Sequence, residues 1–123
     1  MRFMMIYTGP ESGAPPTHDE QERMGAFIGE LVAAGQLLVT DGLKGSDRGT
    51  RVRQSGGKVT RTDGPFTEAK EVVGGFAIVE VGSLEEAVDI AERFMKVAGD
   101  GTSEIREMYD TPAFGEYRRT NWG

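Results

Sequence analysis

The chain has 123 residues and a mass of 13.4 kDa, enough for one domain with a buried core. Hydrophobic residues make up 37% and charged residues 28%, which excludes an intrinsically disordered chain. No apolar run approaches the roughly 18 residues of a membrane-spanning helix; the net charge of −6 disfavours nucleic acid and anionic membranes as partners, and the lack of cysteine excludes disulfides, thiolate metal sites and thiol catalysis.

Residues 2–7 read as a strand. A Gly- and Pro-rich loop follows, from Thr8 to Pro16. Thr17-His18-Asp19-Glu20 is a capping box, so a helix starts at about His18. Met24, Phe27, Ile28 and Leu31 form its apolar stripe, and Gly35 ends it. Residues 36–40 are a second strand, ended by Asp41-Gly42. A polar connection from Lys44 to Thr50 leads to two alternating segments, 51–54 and 58–62, around Ser55-Gly56-Gly57, the pattern of a β-hairpin. After Asp63-Gly64-Pro65-Phe66, residues 67–73 read as one or two helical turns, and 75–81 as a strand. Ser83 with Glu86 makes a second capping box, opening a helix with an apolar stripe of Leu84, Ala87, Val88, Ala91, Phe94 and Met95. Gly99 ends it, and Ser103–Tyr109 is the last strand. Glycine, at 18 residues, stands at roughly twice its usual share, which implies tight turns or close backbone approaches.

The order is β-α-β, a hairpin, then β-α-β. With the hairpin as an insertion, this is a ferredoxin-like α+β fold, an antiparallel sheet with both helices on one face. Such a sheet should alternate apolar and polar. Here Phe3, Met5 and Tyr7 oppose Met4 and Ile6, while Phe76 and Ile78 oppose Ala77, Val79 and Val81, so both faces are apolar. A second copy of the chain is the simplest cover for the outer face, and a homodimer is expected. The alternative is that the hairpin or the C-terminal tail folds over its own sheet. The tail, residues 111–123 with Phe114, Tyr117 and Trp122, is expected to pack on its own or the partner subunit, beside a domain spanning 1–110. The N-terminal segment has one basic residue and no small-residue cleavage site, so a cytoplasmic protein is expected.

The run from Asp63-Gly64-Pro65-Phe66 through Glu68-Ala69-Lys70-Glu71 to Gly74-Gly75-Phe76 resembles the DGPF branch of the YCII-related protein family. Met4-Met5-Ile6-Tyr7, Ala34-Gly35-Gln36-Leu37-Leu38 and Ser83-Leu84-Glu85-Glu86-Ala87 follow the same plan, over roughly residues 1–110. The resemblance implies a dimeric α+β barrel. It also implies small-molecule chemistry in some relatives, among them an aromatic dehalogenating lyase, with a His–Asp pair proposed as the site. The matching positions here are Met24 and the neighbourhood of Phe94, so the dyad does not carry over. The branch is often encoded beside extracytoplasmic-function sigma factors, which implies a regulatory or accessory role.

Several residues are candidates for chemistry. Asp63 suits a general base or a ligand contact, and equally an Asx-turn. Glu68, Lys70 and Glu71 form a charged group suited to proton transfer or substrate clamping, and equally to a surface ion network. Asp63, Glu68 and Lys70 are the catalytic candidates; Tyr7, Asp41, Phe66 and Glu71 are the ligand-binding ones. Phe66 also reads as a core anchor and Tyr7 as a packing residue. His18, the single histidine, faces away from its helix's apolar stripe and reads as solvated. Arg51, Arg53, Lys58 and Arg61 make the hairpin a basic arm, suited to an anionic ligand or partner and equally to protecting an edge strand. No metal or cofactor is called for: ligand spacings are missing, and Ser55-Gly56-Gly57-Lys58 is not a phosphate-binding loop. The expectation is a small organic ligand in a cleft between sheet and helices, with acid–base residues at its rim; the alternative is a noncatalytic regulatory or interaction protein.

Overall fold

Alternating apolar residues and two capped helices produce the expected order of elements. β1 (Arg2–Gly9), α1 (His18–Ala33), β2 (Leu37–Gly42), β3 (Thr50–Ser55), β4 (Lys58–Asp63), β5 (Val72–Glu80), α2 (Leu84–Ala98) and β6 (Thr102–Glu107) follow in turn, with a 3-10 turn at Ser46–Arg48. The computed structural model describes residues 1–11 and 14–110; the aromatic tail lies outside the described residues. β2, β5, β1 and β6 form an antiparallel sheet in that order, and β3 and β4 form a separate hairpin. This is the ferredoxin-like arrangement, an α+β fold with two helices packed on an antiparallel sheet.

Both N-cap hydroxyls bond as read. Thr17 Oγ1 accepts from the Glu20 amide at 3.1 Å, and Ser83 Oγ accepts from the Glu86 amide at 3.2 Å. Glu86 in turn accepts from the Gly82 amide at 2.8 Å, which pins the chain entering α2. At the hairpin turn Gly56 and Gly57 have φ of 58° and 80°, the pair of positive values that a two-residue turn matching strand twist requires.

The core forms where Phe3, Met5, Val79 and Val81 of the sheet meet Phe27 and Leu31 of α1 and Ala87, Ile90 and Ala91 of α2. The α2 stripe is rotated from the sequence reading. Ile90 is buried, whereas Leu84 is 48% exposed and Val88 36%. Ile90 is buried with Ala87 and Ala91. Arg93 then ties the helices: its guanidinium lies 5.3 Å from the Phe27 ring centre and 3.1 Å from Glu30 of α1.

The segment 67–71 is not helical. It holds a single turn, closed by the Ala69 amide on the Phe66 carbonyl at 3.0 Å. Strand β5 starts at Val72 because Val72 and Val73 pair with Gly9 and Thr8, beyond an irregularity in β1. Two β-branched residues with a ladder available are better placed in a strand than in a helix.

Register gives the sheet apolar residues on both sides. Met5, Ala77, Thr40 and Ile105 share the helix-covered face; Met4, Ile6, Phe76, Ile78 and Val39 share the other, with Asp41, Glu104 and Arg106 at its edges. Ile78 is buried and the other four apolar residues are half-buried on a face that carries no helix.

Candidate functional site

The helices do not fill the sheet face at the end of β1. A cavity of about 390 Å³ lies there, between the sheet and the helices. Met5, Tyr7 and Ala77 from the sheet, Met24, Phe27 and Ile28 from α1, and Ile90 and Phe94 from α2 line it. Met24, the position to which the resemblance assigns the His, and Phe94, near which it places the Asp, both border this one space.

Tyr7 is placed by its surroundings. Its hydroxyl donates to the Asp100 carbonyl at 2.6 Å, and its ring meets Phe94 edge-on at 5.5 Å. Gly9 and Gly101 pass close by: a Cβ at Gly9 would come within 2.6 Å of Tyr7 Oη, and one at Gly101 within 2.7 Å of the ring. Some of the glycine excess is thus spent on seating this one aromatic ring. Thr40 of β2 and Ser103 of β6, the two edge strands, also border the cavity, and Gly42, Gly74 and Gly75 add backbone. Asp41 and Phe76 also border it, but they face each other across the register on the sheet's other side, so alternation turns their side chains away. Asp41 Oδ1 accepts from the Gly42 amide at 3.0 Å.

Of the residues singled out in the sequence, Tyr7 and Asp41 border the cavity. The charged DGPF region lies elsewhere, at the root of the hairpin. Asp63 accepts from Thr50 Oγ1 and Arg61 Nε, each at 3.0 Å, in a cleft it shares with Lys44 and Arg48. Phe66 and Glu71 border a second cleft with Ser46 and Arg51. The Arg51 guanidinium stacks 3.8 Å over the Phe66 ring and pairs with Glu68 at 2.6 Å. Lys70 is exposed and makes no ion pair among the described residues. His18 is exposed and 3.1 Å from Glu22. Among the described residues no three His, Asp or Glu converge as a metal centre would require.

Sequence reading missed Ser46, the buried polar residue that holds the DGPF turn in place. Its hydroxyl donates to Glu11 Oε2 at 2.8 Å and accepts from the Phe66 amide at 3.2 Å; its own amide donates to Glu11 Oε1. These bonds hold the Glu11 carboxyl below the usual glutamate range, the Ser46 amide first and its hydroxyl second. Glu68 is held low as well, first by its own amide and then by Arg51. Both pKa values are depressed in the fold, so both groups stabilise it at neutral pH, and that contribution is lost as pH falls through the glutamate range. Glu11→Gln should flatten the acid limb of the melting temperature plotted against pH, while leaving its shape above pH 6 unchanged. An acid limb identical to the parent's would show that the Glu11–Ser46 bonds contribute nothing.

A YCII-related domain model matches residues 1–111. Over 95 residues the chain is 32% identical to the uncharacterized protein R00369 of Rhizobium meliloti (strain 1021), covering 73% of this chain and 77% of that one. The chain belongs to the YCII-related domain family. A solved structure of 5-chloro-2-hydroxyhydroquinone dehydrochlorinase (TftG) from Burkholderia phenoliruptrix AC1100, in complex with 2,5-dihydroxybenzoquinone, aligns over 94% of this chain and all (100%) of its own, with a TM-score of 0.49 and 16% identity. No helix among the described residues is long and apolar enough to cross a membrane.

Proposed function

We propose that this protein is a cytoplasmic homodimer of the DGPF branch that binds a small organic molecule between its sheet and helices. The carrying observation is the apolar cavity of about 390 Å³ onto which Met24 and Phe94 both face. Its size and its few polar groups are those of a small-molecule site. With Met24 at the His position and no histidine among the lining residues, the reading is of binding rather than of proton transfer inside the cavity.

A thermal-shift series with small neutral aromatic and alicyclic compounds tests it. A compound at 100 times its dissociation constant stabilises the fold by about 2.7 kcal/mol, a readily measured rise in melting temperature. Ala77→Leu adds bulk to the cavity wall beside Met5 and should abolish those rises; ligand-free melting of the variant reports on its fold. Rises that persist in a folded Ala77→Leu protein would place the site elsewhere.

Dimer formation is supported by the second apolar face of the sheet. Ile6→Asp puts a charge at its centre, away from the helix-side core. Sedimentation should then give a dimer for the parent and a folded monomer for the variant. A parent that sediments as a monomer at micromolar concentration contradicts the pairing.

The hairpin favours a second reading, an interaction protein. Every residue of β3 and β4 is exposed, Val52 by 72% and Val59 by 61%, on an arm carrying four cations in a chain of net charge −6. A two-stranded arm of this kind is marginal by itself in water.

A further inference from the structure

We infer that a second small-molecule site lies at the root of the hairpin, and that it takes an organic anion, a carboxylate carried on an aromatic or short aliphatic body. The cleft there has a volume of about 540 Å³ and shares no lining residue with the cavity between sheet and helices. Its walls are of two kinds. Phe66, Leu43 and Val73 supply apolar surface, with Leu43 53% and Val73 46% exposed. Lys44, Arg48 and Arg51 supply positive charge, against one carboxylate among the described lining residues, that of Glu71. Arg51 is committed, to Glu68 at 2.6 Å and to the face of Phe66. Lys44 and Arg48 are not: neither side chain forms an ion pair or a hydrogen bond among the described residues. In a chain of net charge −6, two cations with every donor open border one partly apolar cleft.

The cleft is formed in advance of any ligand. Its floor is the pair of interlocked turns. Ser46 Oγ accepts from the Phe66 amide at 3.2 Å, the Gly64 amide donates to the Gly49 carbonyl at 2.9 Å, and the Leu43 amide donates to the Gly74 carbonyl at 2.9 Å. Binding therefore orders little beyond the Lys44 and Arg48 side chains. A guanidinium offers a carboxylate two parallel N–H bonds, and an ammonium adds further donors, while the ligand body covers Leu43 and Val73. A neutral molecule would leave these donors to water. A bare inorganic anion would leave the apolar wall wet. Glu71 opposes the anion, but it is exposed, so the repulsion is small. Asp47 and Asp63 line the neighbouring cleft, where Asp63 is held by Arg61 and Thr50.

The experiment is a calorimetric titration of the full chain with 3-phenylpropionate, 3-phenylpropanamide and inorganic phosphate. The acid is expected to bind about tenfold or more tightly than the amide, which keeps the body and lacks the charge. It should exceed phosphate, which keeps charge and lacks the body, by about tenfold as well. Lys44→Gln and Arg48→Gln should each weaken 3-phenylpropionate by roughly fivefold or more; both side chains are exposed, so neither change threatens the fold. Glu71→Gln should tighten it by about twofold, a gain that loss of structure does not produce. Ala77→Leu, which fills the other cavity, should leave it unchanged. Equal affinity for acid and amide, phosphate bound as tightly as the acid, or affinity unmoved by Arg48→Gln overturns the inference. So does binding abolished by Ala77→Leu, or no saturable binding of 3-phenylpropionate. The cavity between sheet and helices is tested separately, by its own neutral ligands.

Discussion

Gly64→Ala should cost the fold about 3 kcal/mol or more, near the upper end of single-residue effects. A Cβ at Gly64 would lie 1.7 Å from the Ser46 carbonyl oxygen and 2.8 Å from its carbon. Both are backbone atoms and have no rotamer through which to escape. The Gly64 amide also donates to the Gly49 carbonyl at 2.9 Å, so the 3-10 turn is held against the DGPF turn from two directions. Relief of the clash must separate them, and the Ser46 bonds to Phe66 and Glu11 go with it. Urea denaturation reads the loss, and limited proteolysis should show new cleavage between Leu43 and Phe66. Gly25→Ala is the control: nothing lies within 4 Å of a Cβ in the middle of α1, so the change should stabilise by about 0.5–1 kcal/mol. An unchanged midpoint for Gly64→Ala would mean that the two turns are not locked together.

Gly9→Ala should weaken binding as well as the fold. Gly9 is buried, and an added Cβ would lie 2.6 Å from Tyr7 Oη and 2.9 Å from the ring carbon that bears it. The ring is a side chain and can turn, so the cost to the fold is about 1–2 kcal/mol, in the range of a tolerated overpacking. Turning it breaks the bond to Asp100 and moves the ring from its edge contact with Phe94. Ligand affinity should fall by tenfold or more, about 1.4 kcal/mol. A Gly9→Ala protein that binds as its parent does would remove Tyr7 from the site.

Periodicity made the fold readable. The apolar stripe of α1, the capping boxes at Thr17 and Ser83 and the Gly-Gly hairpin each follow from local chemistry that the tertiary structure does not override. The two-sided apolar pattern of Phe3–Tyr7 and Phe76–Val81 is what the strand register shows. Local chemistry failed where a partner strand decides. Val72 and Val73 join β5 because Thr8 and Gly9 are there to pair with them, and Ile90 replaces Leu84 in the core because of how α2 rests on the sheet.

The site was less legible because concavity has no one-dimensional signature. Charge density draws attention to Asp63, Glu68 and Lys70, yet those side chains surround a turn at the root of the hairpin. The cavity arises from a gap among Met5, Met24 and Phe94, residues whose apolar character and helical or strand spacing read as core. The resemblance did mark Met24 and the neighbourhood of Phe94 as positions of interest, and part of the glycine excess cradles Tyr7. Ser46 and Glu11 gave none, since their pairing spans 35 positions through an otherwise polar connection.

The six methionines provide the most direct measurement. Met5 and Met24 line the cavity, Met4 lies on the opposite face of the sheet, and Met1, Met95 and Met108 stand outside the cavity lining. In protein labelled with 13C at the methionine methyl groups and titrated with 2-phenylethanol, the Met5 and Met24 resonances should shift saturably and show contacts to the ligand ring, while Met1, Met4 and Met108 stay in place. Saturable shifts at Met4 with Met24 unmoved would contradict a ligand site between sheet and helices.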